Sequence, residues 1–383
     1  MEEDLQQKVK RLEEEIWRLK NQDTYTADLC SSNAPLTNLP LTQDEYKRYG
    51  RQMIVDGFGS LEAQLELKGS KVLVIGAGGL GCPALMYLGG CGIGEIGIVD
   101  NDTVDISNLH RQVLHTTDAV GLLKCENAKR YINRLNPHVK VETYPVRLSN
   151  DNAFSIIEPY DLVLDCTDTP AVRYLINDVC VILGKTIVSG SGVRTDAQLT
   201  ILNYRSSGPC YRCFYPTPPS PESVGSCGDN GVIGPCIGLL GVSMCVEAIK
   251  VITAYYDKDE PFTPFLTVYQ GYPHQSFRRF KMRPKQAKCV VCGSSPVITR
   301  ETIESGAINY AVFCGATKYN VCQDSERITV SQLEQSLSKQ QQSYIIDVRP
   351  QLQFKITHLP KSINIPWQES ISFVVTVFKR QRM

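Results

Sequence analysis

The sequence predicts an α/β fold with a mixed, mainly parallel sheet that helices cover on both faces. Apolar or β-branched runs alternate with helical segments from residue 71 onward, beginning with KVLVI, GEIGIVD, HVKVETYPV and DLVLDC. HVKVETYPV alternates apolar and polar residues, and the other runs are near-continuously apolar, as is typical of parallel sheets buried on both faces. A glycine-rich turn follows the first strand directly. Both observations favour a Rossmann-like domain.

Composition limits the classes of function. The chain has 383 residues, of which 42% are hydrophobic and 21% charged, and its 40 Lys and Arg balance 40 Asp and Glu. This balance gives no electrostatic argument for nucleic acid or an anionic membrane. The start, MEEDLQQKVK, is unlike a secretory signal peptide. The uncharged run 72–94 is broken by glycines and Pro83, which favours strand, turn and helix over a membrane span. We expect a cytosolic protein with no membrane segment and no direct nucleic-acid contact.

The elements before the sheet are a helix, a linker and a second helix. Apolar residues spaced by four and three in residues 1–20 predict an amphipathic helix suited to a short coiled coil. Residues 21–41 are polar with two prolines and are interpreted as a linker. Thr42, with Glu45 three residues later, predicts a helix N-terminus with a capping box.

The later elements continue the sheet and then change composition. Strands are predicted at KTIVSG, at QLTIL and within 265–279, and a helix over about 239–255. Residues 206–236 are rich in Pro, Gly, Ser and Cys and predict a long functional loop. We expect a main domain over 42–300, a linker over 301–326 and a second module over 327–383.

The glycine-rich turn predicts a nucleotide site. Gly76, Gly78 and Gly81 form G-x-G-x-x-G, which lets backbone N–H groups approach a phosphate at the start of the next helix. Asp100 closes the following strand, where an acid usually bonds a ribose hydroxyl. This pattern alone does not distinguish NAD from ATP.

The residues after Asp100 favour ATP. Asn108, Arg111 and Lys124 together can neutralise a triphosphate, and Asp102 or Asp105 can hold Mg²⁺. A hydride transfer needs none of this positive charge. A NAD-dependent oxidoreductase, resting on the glycine turn alone, and a catalytically inert binding scaffold remain as alternatives.

Three runs give the chain a family resemblance. GAGGLGCPALMYL, VDNDTVDISNLHRQ and DCTDTPAVRYLIND resemble, in this order, motifs of the ubiquitin-activating-enzyme-like family, and RYGRQ at 48–52 resembles the segment that opens its domain. The resemblance covers about residues 42–300. It implies a Rossmann-like adenylation domain that uses ATP and Mg²⁺ to adenylate the carboxyl terminus of a ubiquitin-like sulfur-carrier protein.

The resemblance also implies roles for individual residues. Asp100 would bond the ribose, Asp168 would bind Mg²⁺, and Arg51 would reach the γ-phosphate bound by a neighbouring subunit, which implies a homodimer. The family usually has Asn after that Asp, where this chain has Thr169. The other nucleotide-binding candidates that the resemblance implies are Gly79, Ser107, Asn108, Leu109, His110, Arg111 and Lys124.

Two cysteine pairs predict a zinc site. Cys210 and Cys213, and likewise Cys289 and Cys292, have C-x-x-C spacing, and two such pairs can complete a tetrahedral site. Two unrelated redox or core pairs are the alternative. The resemblance favours zinc, because the family carries cysteine pairs at these places.

Cys227 is the candidate for a second chemical step. It lies in the polar segment SVGSCGDNGVIGP, where we expect an exposed thiol. The segment resembles the family's loop cysteine, which attacks the carrier adenylate to give either a thioester or an acyl disulfide. Cys236 is the other candidate, and its neighbours are typical of a packed residue.

The segment IIDVRPQLQFKITHLPKSINIPW resembles the first half of a rhodanese domain. An adenylation domain followed by a rhodanese domain is the arrangement of a eukaryotic family of combined adenylyltransferases and sulfurtransferases. Its carriers are the molybdopterin synthase small subunit and a ubiquitin-related modifier, both ending in Gly-Gly, with a cysteine desulfurase as a possible sulfur donor.

The rhodanese-like segment is shorter than a whole domain. Residues 327–383, about 57 in number, contain no cysteine to carry a persulfide. We therefore expect adenylation without sulfur transfer through a rhodanese cysteine. An alternative transcript and a mispredicted gene end are both compatible with this segment.

Overall fold

The structure is a computed structural model that describes residues 39–219, 230–258, 261–315, 325, 327–338 and 345–367. The chain divides into two compact units, residues 1–316 and 317–383. The N-terminal helix predicted over 1–20, most of the 21–41 linker, and Cys227 lie outside the described residues.

Unit 1 contains eight strands and eleven helices among its described residues. The strands are β1 Lys71–Ile75, β2 Glu95–Val99, β3 Lys140–Tyr144, β4 Leu162–Asp165, β5 Thr186–Val193, β6 Asp196–Leu202, β7 Phe265–Gln270 and β8 Ser276–Lys281. The helices are α1 Gln43–Met53, α2 Ser60–Gly69, α3 Gly81–Cys91, α4 Lys124–Leu135, α5 Ala153–Ile157, α6 Pro170–Ile182, α7 Tyr211–Phe214, α8 Gly234–Ile252, α9 Tyr255–Lys258, α10 Arg300–Glu304 and α11 Tyr310–Phe313. Short 3₁₀ turns lie at Ile106–Asn108, Thr117–Ala119 and Tyr204–Ser206.

The eight strands form one mixed sheet in the order β3-β2-β1-β4-β5-β6-β7-β8. The strands from β3 to β5 are parallel, and β6, β7 and β8 extend the sheet in antiparallel steps. This confirms the predicted α/β fold with a mixed sheet. The segment 265–279, predicted as strand, is a hairpin of β7 and β8. Gly271 and Pro273 interrupt the run, and proline cannot donate to a ladder.

The core has one layer on each face of the sheet. Alternate side chains of β1 enter different layers, with Val72 and Val74 on one face and Leu73 and Ile75 on the other. All four are buried, which explains why this strand shows no polar alternation. Helices α3, α4 and α8 contribute to the first layer, and α5 and α6 to the second.

Helix α8 is the described helix that is long and apolar enough to cross a membrane. It packs against α3, β5 and β6, and residues such as Leu240 and Met244 are fully buried in the core. We therefore interpret it as a core helix. It begins at Gly234 and ends at Ile252, whereas 239–255 was predicted. The early start is explained by Pro235, which occupies a first-turn position where proline is favourable.

The predicted capping box of α1 is confirmed. The Thr42 hydroxyl accepts a hydrogen bond from the Glu45 N–H at 3.2 Å, and the Thr42 N–H donates to Glu45 Oε2 at 2.8 Å. Lys68 Nζ also donates to this carboxylate at 2.9 Å, which ties α1 to α2.

Unit 2 contains helix α12 Val330–Ser338, strand β9 Ile346–Asp347, helix α13 Gln351–Ile356 and strand β10 Ile363–Asn364. The two strands pair in parallel, with Ile363 opposite Ile346. The predicted order of strand, helix, His-Leu-Pro turn and short strand is confirmed. Among its described residues, none is buried.

Candidate active site

A cavity of 1180 Å³ lies at the carboxyl ends of the parallel strands. This is the edge at which open α/β sheets bind their ligands. Most of the nucleotide-binding candidates line it: Gly76, Gly78, Gly79, Asp100, Asn108, Arg111, Lys124, Asp168 and Thr169.

The glycine turn is tightly packed and tolerates no side chain at its ends. Gly76 has φ +98°, and a Cβ there would lie 2.9 Å from the carbonyl oxygen of Cys166. A Cβ on Gly81 would lie 1.9 Å from the carbonyl oxygen of Gly76. Glycine is therefore required at both positions, as the motif predicts.

Asp100 is fixed by the backbone around it. Its Oδ2 accepts from the Ala77 N–H at 2.8 Å, and its Oδ1 accepts from the Asp102 N–H at 2.9 Å. Burial raises the pKa of Asp100, and these two hydrogen bonds oppose the shift. A carboxylate has about four acceptor sites, so this one retains capacity for hydroxyl donors.

Lys124 is a buried cation at the start of α4. Its Nζ donates to Asp102 Oδ2 at 2.8 Å, while the Asp102 side chain is 63% exposed. An anionic ligand in the cavity would approach an ammonium group that is already held in place. The Lys124 backbone N–H also bonds the Asp102 carbonyl at 2.9 Å.

Arg111 is oriented by its neighbours in the same turn. One guanidinium nitrogen donates to Asn108 Oδ1 at 2.7 Å, and another lies 2.8 Å from His110 Nε2. Its aliphatic stem lies beside Gly79. Arg111 and Asn108 therefore face the cavity as a bonded pair.

Asp168 is exposed on a loop that buried residues brace. Asp165 Oδ1 accepts from the Thr167 N–H at 3.1 Å and from its hydroxyl at 2.7 Å. Arg173 donates to the carbonyls of Thr167 and Gly190, and its Nη1 lies 3.6 Å from Asp165 Oδ2. Asp165 and Arg173 were not predicted from the sequence, although both lie within the run DCTDTPAVRYLIND.

Four candidates are not among the residues that line the cavity. Ser107, Leu109 and His110 occupy the same turn as Asn108 and Arg111, and the Ser107 N–H donates to Asp105 Oδ1 at 2.8 Å. Arg51 is exposed in the last turn of α1. Its expected role at the site of a second copy remains a prediction.

The second half of the cavity lies over the antiparallel strands. Its floor includes Gln198 and Thr200 of β6 and Leu266 of β7, and Arg194 lies at its edge. Arg194 has φ +58°, and its guanidinium donates to Asn230 at 3.1 Å. This part of the cavity is partly polar, and it is continuous with the nucleotide half, which is the part that the nucleotide-binding candidates line.

The four predicted zinc ligands converge. The Sγ atoms of Cys210, Cys213, Cys289 and Cys292 all lie within 4.8 Å of one another. Individual Sγ–Sγ distances are 3.8 Å for Cys210–Cys213, 3.6 Å for Cys210–Cys289 and 3.4 Å for Cys213–Cys292. Hydrogen bonding with Cys210 lowers the pKa of Cys213 to about 7. Four sulfur donors at this spacing fit a structural zinc site.

A buried ion pair supports the helix that carries the first cysteine pair. Arg212 donates to both carboxylate oxygens of Asp178 at 2.8–3.0 Å, and the Tyr310 hydroxyl donates to Asp178 Oδ2 at 2.9 Å. The guanidinium also lies over the rings of Tyr174 and Phe313. This cluster was not predictable from the sequence, because its members are distant in the chain.

Of the two candidate nucleophiles, Cys236 is described. It is 5% exposed at the start of α8, as expected for a packed residue. Cys227 lies outside the described residues, so its role remains a prediction.

Two family models match the chain, and several known proteins resemble it over most of its length. The ThiF family model matches residues 49–291, and a rhodanese-like domain model matches residues 329–380. The chain is 61% identical over 372 residues to the adenylyltransferase and sulfurtransferase UBA4 of Debaryomyces hansenii, covering 95% of this chain and 83% of that protein. The Candida albicans protein of the same name is 59% identical, with 95% and 83% covered.

Among solved structures, Escherichia coli MccB with MccA-N7isoASN matches with a TM-score of 0.57 and 22% identity, covering 70% of this chain and 86% of that one. PaaA matches with a TM-score of 0.54 and 22% identity, covering 68% and 82%. At this identity the likeness shows a shared fold.

Proposed function

The chain belongs to the ThiF family and is an adenylyltransferase, and we propose that it adenylates the C-terminal glycine of a ubiquitin-like sulfur-carrier protein. The observation that carries this proposal is the single cavity that gathers the glycine turn, Asp100, Lys124, Arg111 and Asp168. Its nucleotide half opens into the partly polar space over β6 and β7, which is suited to an extended peptide terminus.

We assign the nucleotide's parts by charge. The N–H groups of the glycine turn and the cations Arg111 and Lys124 suit the phosphates, and Asp100 suits the ribose hydroxyls. Asp168, on its braced loop, would hold Mg²⁺ with phosphate oxygens. The metal would supply charge neutralisation at those oxygens.

The reaction is an in-line displacement. A carboxylate oxygen of the carrier forms a bond to the α-phosphorus of ATP, and the bond from that phosphorus to the bridging oxygen breaks. Pyrophosphate leaves with the electron pair, and an acyl adenylate remains. The protein supplies positioning and charge stabilisation, because no covalent step on its own side chains is needed.

The first candidates for the carrier are the molybdopterin synthase small subunit and a ubiquitin-related modifier, both ending in Gly-Gly. Adenylation is then the first step of thiocarboxylation, which serves molybdopterin synthesis and thiolation of the tRNA wobble uridine. We propose Cys227 for the following step, in which its thiolate attacks the acyl adenylate, AMP leaves and a thioester forms. If Cys227 first receives a sulfane sulfur from a cysteine desulfurase, its persulfide attacks instead, and AMP leaves as an acyl disulfide forms.

We propose zinc as a structural metal held by Cys210, Cys213, Cys289 and Cys292. A closed set of four thiolates leaves no position for a substrate. The site would join α7 to the segment after β8, two regions far apart in the chain. Because it needs reduced thiolates, it also fits the proposed cytosolic location.

A hydride-transferring oxidoreductase is not favoured. The two buried or oriented cations, Lys124 and Arg111, suit a triphosphate, and the relatives are named adenylyltransferases. An inert scaffold would not need these groups to converge on one cavity.

Pyrophosphate exchange tests the proposed function. The protein is incubated with ATP, Mg²⁺, labelled pyrophosphate and each Gly-Gly carrier, with the same carrier lacking its last glycine as the control. We expect label in ATP only with the intact carrier, and a carrier mass increased by one AMP. Carrier-independent exchange, or none with either carrier, would contradict the proposal.

The proposed homodimer has a sharper test. Arg51→Ala and Asp168→Ala variants are each expected to be inactive, since each removes one part of every site. If Arg51 acts on the neighbouring site, an equal mixture of the two forms hybrid dimers with one intact site. With statistical exchange, about half of the dimers are hybrids, and one of the two sites in each hybrid is intact. About a quarter of the wild-type activity is therefore restored. No recovery after verified subunit exchange would show that Arg51 does not act across subunits.

A further inference from the structure

The centre of the glycine turn is held by groups that the proposed reaction does not use. Ala77 is fully buried, and its carbonyl oxygen accepts from His115 Nε2 at 3.2 Å and from Cys82 Sγ at 3.3 Å. Its N–H donates to Asp100, as described above. Both peptide units that flank Ala77 are therefore fixed.

The bond from His115 determines where the next N–H group points. In a planar trans peptide, the N–H of Gly78 is directed opposite to the carbonyl of Ala77. Gly78 lines the cavity. With the Ala77 carbonyl held toward His115, the Gly78 N–H is directed away from His115, as a phosphate donor in this turn requires.

The protonation state of His115 follows from its partners. A carbonyl oxygen can only accept, so Nε2 carries the proton, and in the neutral ring Nδ1 must accept. Asn127 Nδ2 lies 2.8 Å from Nδ1 and supplies that donor. Burial lowers the pKa of His115, which keeps the ring neutral.

Asn127 connects this arrangement to the phosphate-binding cation. It lies in the first turn of α4, the helix that begins with Lys124. The contacts run from α4 through Asn127 and His115 to Ala77 and then to Asp100. Asn127 and His115 thus connect the helix of Lys124, through hydrogen bonds, to the glycine turn and to Asp100.

We infer that His115 and Asn127 are a positioning pair, which orients the Gly78 N–H toward a phosphate of the bound nucleoside triphosphate. The inference rests on the proposed adenylation. His115 is not among the residues that line the cavity, and it would act through Ala77. Loss of the pair should therefore weaken ATP binding more than it slows the chemical step.

The test compares His115→Phe with His115→Gln. Phe fills the ring's space without a donor, whereas the Gln side chain can present an N–H group toward Ala77. We expect the KM for ATP in pyrophosphate exchange to rise about tenfold in His115→Phe, with kcat within about twofold. In His115→Gln we expect recovery to within about threefold of the wild-type KM.

Asn127→Leu is the second variant. Asn127 is half-buried on a helix, and Leu is a good helix former, so folding should be preserved. We expect a KM rise of about threefold, since His115 keeps its place but loses its fixed tautomer. His138→Phe is the matched control, because His138 bonds Asp44 and is not among the residues that line the cavity.

Calorimetric titration with ATP, without carrier, supplies an independent readout. An unchanged ATP affinity in folded His115→Phe and Asn127→Leu would overturn the inference, as would a Gln variant as weak as the Phe variant. If the wild-type protein neither binds ATP nor exchanges pyrophosphate, the proposed function itself fails. The two failures are therefore distinguishable.

Discussion

Unit 1 and unit 2 differ in how the residues of their motifs are surrounded. In unit 1, the nucleotide candidates project from a sheet whose two faces are buried, and Asp100, Arg111 and Lys124 each have hydrogen-bond partners. In unit 2, described apolar side chains remain open to solvent, with Leu352 at 73%, Ile356 at 77% and Trp367 at 69% exposure.

A sequence motif can therefore be present without the surrounding packing that fixes its side chains. Unit 2 has the strand, helix and turn of the rhodanese-like pattern, and its family model matches 329–380. This matched range contains no cysteine. Unit 1 has both the motif and the packing that fixes its side chains.

The largest expected contrast is between the adenylation activity and the sulfurtransferase activity of the chain. We expect the 383-residue chain to catalyse carrier-dependent pyrophosphate exchange and to form no thiocyanate from thiosulfate and cyanide above the buffer rate. The reason is that a persulfide requires a thiol in the rhodanese-like range. Thiocyanate formation by the chain above the buffer rate would break the contrast.

The next contrast concerns metal within unit 1. Cys289→Ser should remove bound zinc and lower the thermal midpoint, because one of four thiolates is lost. Elemental analysis of the purified protein measures the zinc. Cys314→Ala, at a half-buried thiol outside the four-sulfur cluster, is the control and should keep the metal. Zinc retained at full stoichiometry by Cys289→Ser would remove this cysteine from the proposed site.

The smallest contrast uses two Asp–Arg pairs. Asp178–Arg212 in unit 1 is buried, whereas the Arg349 side chain of the Asp347–Arg349 pair in unit 2 is 42% exposed. Arg212→Met leaves a buried carboxylate without its cation and should cost about 3–5 kcal/mol of unfolding free energy. Arg349→Met should leave the unfolding midpoint of unit 1 unchanged. Chemical denaturation followed by far-ultraviolet circular dichroism and Tyr fluorescence measures both, and equal effects would erase the distinction.

Local patterns were sufficient for the elements of the main sheet. Strands β1, β2, β4 and β5 are short, mainly apolar runs, and β3 and β6 alternate apolar and polar residues. The glycine turn and the Thr42 cap are contiguous motifs. Boundaries were less accurate where prolines and glycines intervened, as at Pro235 in α8 and at the turn between β7 and β8.

The candidate site was predictable only in part. Asn108, Arg111 and Asp168 lie in recognisable runs, and they meet Lys124 in the cavity. His115, Asn127 and Arg173 were missed, because what they do depends on backbone atoms of other segments. The assignment of Ser107, Leu109, His110 and Arg51 to the nucleotide stays a prediction.

The fold class, the nucleotide turn and the two C-x-x-C pairs can be read from the sequence, since they depend on neighbours along the chain. Only the tertiary structure decided that Cys210 lies beside Cys289, although the two are 79 residues apart. It likewise placed His115 against Ala77, 38 residues away. Such contacts arise from the packing of whole strands and helices, and the local periodicity of a sequence carries no record of them.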